Sequence, residues 1–142
     1  MPRSKSLRLV IDTNIWISFL ISDRFRKLDY ILKVQNVQIV FSEELLNEIR
    51  KTILKPKLKK YFSVNALEEM LLNLDSYIDL VTVKTKTNIC RDPNDNFLLA
   101  LSKDGKANFL ITGDKDLLDL VKFGRTQIID ISSFLNELKQ YR

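Results

Sequence analysis

The chain has 142 residues, 23 Lys and Arg against 18 Asp and Glu for a formal charge of +5, no histidine, three glycines and one cysteine. The lack of histidine excludes Ser-His-Asp and Cys-His sites, imidazole bases and His-containing zinc centres, and three scattered glycines leave no GxGxxG or phosphate-binding loop. Cys90 cannot form an internal disulfide and reads as an ordinary small side chain, so the fold needs no oxidising compartment and a cytoplasmic setting is expected.

The first twenty residues begin basic and turn apolar, but Asp12 and Asn14 interrupt the run and no small-residue cleavage site follows, so no signal peptide is expected. Nowhere are there about eighteen uninterrupted apolar residues, which removes a spanning helix. LRLVI (7–11) predicts a strand ending at Asp12, and NIWISFLI a helix after it. A second helix is predicted from about Arg24 to Val34, with Trp16, Phe19, Phe25 and Tyr30 as core residues of the pair.

VQIVF (37–41) predicts another strand, and Ser42 followed by Glu43 and Glu44 marks the start of a helix that Pro56 ends. Leu45, Leu46, Ile49 and Ile53 define its buried stripe, which leaves Glu48 at the border, about 110° from the stripe centre. RKTILKPKLKK (50–60) contains Arg50, Lys51, Lys55, Lys57, Lys59 and Lys60 and no acid, a stretch suited either to a polyanion or to plain solvation as a helix face and loop.

VNALEEMLLNLDSY predicts a helix, IDLVTV (78–83) a strand, and KTKTNICRDPND an irregular segment. Asp95 is then expected to cap NFLLALSK, ANFLI (107–111) to form a buried strand, DKDLLDLV a short helix, TQIID a last strand and SSFLNELKQY a closing helix. Continuous apolar strands alternating with helices predict an α/β class with a mainly parallel sheet covered on both faces, in one domain over residues 1–142. In such sheets sites lie outside the carboxyl ends of the strands, at the topological switch point.

Asp12 and Asp114 both follow apolar strands, and their carboxylates converge if those strands are neighbours about 4.8 Å apart. Each of Asp12, Asp95 and Asp114 also stands where a capping residue belongs, and Glu48 has a helical partner in Lys51 or Thr52. As a set they repel unless protons or cations neutralise them, and oxygen-only ligands suit Mg²⁺ or Mn²⁺. Such a centre polarises a phosphodiester and lowers the pKa of a bound water, so hydrolysis proceeds without histidine.

VIDTNIWISFLI with Asp12, FSEELLNEI with Glu48, DPNDNFLLALS, and FLITGDKDLL with Asp114 resemble, in order and spacing, the four signature regions of PIN domains, and most closely the toxin components of bacterial and archaeal toxin-antitoxin pairs. The resemblance implies a three-layer α/β/α sandwich and a metal-dependent endoribonuclease. It carries the family's four acids, which hold one or two Mg²⁺ or Mn²⁺ ions, onto Asp12, Glu48, Asp95 and Asp114. Asp92 is an alternative or outer partner to Asp95, and Asp116 a further candidate. Thr13, Asn14 and Thr112 would orient carboxylates or water. The stretch 50–60, with Arg3, Lys5 and Arg8, would hold the RNA backbone. A homodimer and an antitoxin covering the acidic edge follow from the same resemblance. Two rivals remain: a phosphoryl-transfer domain with an aspartate nucleophile, against which Asn14 replaces the second aspartate such domains need, and a catalytically dormant RNA- or protein-binding module.

Overall fold

The computed structural model describes residues 7–21, 25–34, 36–63 and 65–139. Arg3 and Lys5 lie outside the described residues, as do Arg24 and the side chain of Phe25. Six strands form one sheet in the order β3-β2-β1-β4-β6-β5: β1 (Leu7–Ile11), β2 (Val37–Phe41), β3 (Ile78–Leu80), β4 (Phe109–Ile111), β5 (Lys122–Phe123) and β6 (Thr126–Ile129). All pairings are parallel except β5 with β6. The sheet is that of an α/β domain with the expected mainly parallel order.

The central strands explain their own position. Leu9, Val10 and Ile11 of β1, Ile39, Val40 and Phe41 of β2, and all of β4 are buried, as a strand with helices on both faces requires. The helices are α1 (Thr13–Ile21), α2 (Phe25–Val34), α3 (Glu43–Ile53), α4 (Pro56–Lys59), α5 (Ala66–Leu74), α6 (Pro93–Asp104), α7 (Lys115–Leu118) and α8 (Ile131–Leu138). None of the described helices is long and apolar enough to cross a membrane. Trp16 anchors α1, stacking on Phe41 at 5.1 Å and meeting Phe19 edge-on at 5.9 Å, while Tyr30 packs half-buried against the same core.

Several elements depart from the sequence reading. Pairing of β3 stops at Leu80, although Val81 N still donates to the Phe41 carbonyl, and the next residues to Cys90 are extended without a partner strand. The lysine-rich stretch holds a short helix, α4, because Pro56 suits a first helical position even as it ends α3. Strand β5 pairs only through two residues. Helix α6 starts earlier than expected. Its cap is Asp92, which accepts from Asn94 N at 2.9 Å, so Asp95 falls inside the first turn.

Arg8 is also corrected. Its guanidinium donates to the Gly105 carbonyl, to Gln38 and to Asp79, each at 2.7 Å, so it ties β1 to its neighbours and is not available to RNA. Gly105 lets the end of α6 sit close against β2: a Cβ there would stand 2.5 Å from Val40 Cγ1.

Candidate metal centre

The strand order places β1 beside β4 at the centre of the sheet, where the chain passes from one half to the other. Asp12 leaves β1 at this switch point. Its backbone N–H donates to the Ile111 carbonyl at 2.9 Å, and its own carbonyl accepts from Ile15 and Trp16, so one residue closes the β1–β4 ladder and opens α1. The Asp12 carboxylate is 8% exposed; Oδ2 accepts from Thr112 Oγ1 at 2.7 Å and Oδ1 from Asn14 N at 3.3 Å. Burial pushes its pKa up, the Thr112 hydrogen bond pulls it back, and Asp114 adds to the rise.

Thr112 has a second role. The hydroxyl that donates to Asp12 also accepts from Asp114 N at 3.0 Å, so it couples the acids at the ends of two adjacent strands. Asp114 is half-buried and caps α7, accepting from Asp116 N at 2.8 Å. That turn folds Asp116 back towards the centre.

Asp95 enters from α6. It is 5% exposed, and its pKa rises to about 6, first through burial, then through the charges of Asp114, Asp92, Asp12 and Asp116. Ligand oxygens of Asp95, Asp114 and Asp116 lie within 4.8 Å of one another. Asp12, Glu48 and Asp92 line the adjoining cleft of about 490 Å³ without belonging to that trio. Glu44, Glu48, Thr52 and Lys55 reach it from α3 and the residues just after, while Asp92, Asn94 and Asp95 reach it from the start of α6, whose dipole favours negative charge. Thr13 and Asn14 line the same cleft.

Of the basic stretch, only Lys55 lines the cleft. Arg50 is engaged with Asn47 at 3.0 Å and Glu68 at 3.8 Å. Lys51, Lys57, Lys59 and Lys60 are exposed, with the Lys60 ammonium 5.2 Å from the Tyr61 ring centroid. Cys90 stands close enough to the acids that burial and then Asp95, Asp116, Asp114 and Asp92 push its thiol pKa up, which keeps it protonated.

The donor set is all oxygen and partly desolvated, which fits a hard divalent cation and not a thiophilic one.

A family model described as PIN domain matches residues 8–116. The chain belongs to the PIN domain family. PIN domains are generally metal-dependent nucleases that bind divalent metals, and the spacing of the acidic trio could hold such an ion. An uncharacterized protein of Methanocaldococcus jannaschii, MJ1680, is 36% identical over 118 residues, covering 80% of this chain and 75% of that one. Two solved structures share the fold at low identity. PAE2754 from Pyrobaculum aerophilum matches with a TM-score of 0.61 and 14% identity over 98% of this chain and 99% of that one. The PIN domain of human SMG5 matches with a TM-score of 0.50 and 13% identity over 95% and 99%.

Sequence reasoning missed three participants. Arg91 lies 3.5 Å from Asp116, and Asn96 and Asp104 fasten the extended segment before α6. Their partners are main-chain atoms or residues far along the chain, so no local pattern announces them.

Proposed function

We propose that the protein is a Mg²⁺- or Mn²⁺-dependent endoribonuclease that hydrolyses phosphodiester bonds of RNA, as the toxin component of a toxin-antitoxin pair. The observation that carries this reading is a buried Asp95 facing Asp114 and Asp116 at the carboxyl edge of a PIN sheet. Asp95, Asp114 and Asp116 would hold the cation, with Asp12 and Glu48 facing the same cleft. When bound, the ion supplies Lewis-acid polarisation of the phosphodiester and a nucleophile at neutral pH.

The chain's own groups prepare that chemistry. Thr112 fixes which lone pairs of Asp12 face the cleft, and Asp95 must give up its proton, which its pKa of about 6 allows near neutrality. Lys55 at the cleft and the exposed Lys51, Lys57, Lys59 and Lys60 beyond it draw in the RNA backbone, offsetting the acids' repulsion. A homodimer and an antitoxin laid over the acidic cleft belong to the same proposal, supported by the family resemblance.

The test is cleavage of end-labelled single-stranded RNA with Mg²⁺, Mn²⁺ or EDTA, beside Asp12→Asn purified identically. Cleavage that needs metal and vanishes in the variant supports the reading. No cleavage by folded protein on a broad RNA panel overturns it in favour of a dormant binding module.

A further inference from the structure

Residues 81–91, VTVKTKTNICR, contain three cations and no acid, and they run to the edge of the acidic centre. Exposure alternates from 81 to 88: Thr82, Lys84, Lys86 and Asn88 face solvent, whereas Val81, Val83, Thr85 and Thr87 are half-buried. The segment has no partner strand on its outer side, yet it is firmly placed. Near one end, Asp104 accepts from Lys84 N at 2.6 Å, Thr85 N at 2.8 Å and Thr85 Oγ1 at 2.5 Å. Near the other, Asn96 both accepts from Cys90 N and donates to the Cys90 carbonyl, at 2.8 Å each.

Two clasps from α6 thus set the position of Arg91. Its side chain is 91% exposed, and Nη2 lies 3.5 Å from Asp116 Oδ2, one carboxylate away from Asp95 and Asp114. A solvated guanidinium paired at that distance is weakly held and exchanges partners readily. It presents a planar fork matched to a phosphate.

We infer that the segment 81–91 is a second arm of the RNA site, in which Arg91 grips the phosphodiester beside the acidic centre and Lys84 and Lys86 hold the strand farther out. This rests on the ribonuclease reading and adds to it a course for the RNA, from the 81–91 segment across the acids to Lys55.

The test is anisotropy of a short fluorescein-labelled single-stranded RNA in EDTA, where no cleavage occurs, over a salt series. Arg91→Ala should weaken binding roughly fivefold and lower the salt slope by about 0.7, one phosphate contact on a single strand. Arg91→Lys should keep the slope and part of the affinity. Lys84→Ala with Lys86→Ala should give a smaller loss, and Lys103→Ala, exposed at the far end of α6, none. The Arg91→Ala effect should persist in an Asp116→Asn background. Disappearance there would mean that Arg91 only screens Asp116, and unchanged affinity and slope in folded Arg91→Ala would equally overturn the arm. The same RNA incubated with Mn²⁺ separates the two readings: no cleavage by a protein whose binding depends on Arg91 would remove the nuclease and leave the arm.

Discussion

The two ends of β1 both carry charge, and they treat it in opposite ways. Near the start, Arg8 is met by a carbonyl, an amide and a carboxylate, each at 2.7 Å. Past the end, Asp12 meets a hydroxyl and a backbone amide, but the acids beyond it face one another. One end is electrostatically closed within the protein. The other is met from within the chain by no cation but the solvated Arg91, among the described residues, and that difference separates a structural ion from a functional one.

The largest test of the contrast is at the open end. Asp12→Asn should reduce metal-dependent cleavage on the order of a hundredfold or more while leaving the thermal midpoint close to wild type, because asparagine still caps α1. Next is a pH effect. Unfolded, Asp95 loses its proton near its ordinary value of 3.8, and folded near about 6, so the folded state binds more protons in between. Stability in EDTA should therefore fall as pH rises through that window, by at most about 3 kcal/mol, and level off above it. Mn²⁺ should raise the melting midpoint above pH 6 and scarcely at pH 4, and an equal shift at both would refute the unmet charge.

At the closed end, Arg8→Ala should cost about 2 kcal/mol in urea unfolding, since it strands the Gly105 carbonyl, Gln38 and Asp79. Cleavage assayed well below the midpoint should be unchanged. The surface cations are the weakest probe. Lys57, Lys59 and Lys60 changed together to Ala should lower the salt slope of RNA binding by up to about 2, and Arg50→Ala, already committed to Asn47 and Glu68, should barely register.

The sheet and its acidic edge were legible because buried parallel strands advertise themselves as unbroken apolar runs and because acids at their ends are few. Glu48 at the border of its stripe is half-buried in the cleft, as its helical phase predicts. The start of α6 misled because Asp92-Pro93-Asn94-Asp95 offers two caps, and proline is as much at home in a first helical turn as in a loop. Strand β5 was illegible because two residues carry no period; its hairpin shows itself through Val121 and Gly124 at positive φ. Arg8 read as a basic residue at large because sequence gives charge but not the partners that consume it.

The hydrogen bond from Thr112 to Asp12 spans a separation of 100 residues. The residues through Thr112 must therefore leave the ribosome before the two sides of the centre can meet, and loop-closure entropy opposes that meeting until the β1–β4 pairing rewards it. The centre is expected to form among the last features of the fold. A nascent or truncated chain ending before residue 112 carries Asp12, Glu48 and Asp95 yet no assembled site, so the topology itself delays assembly of the centre until β4 and the residues after it have been made.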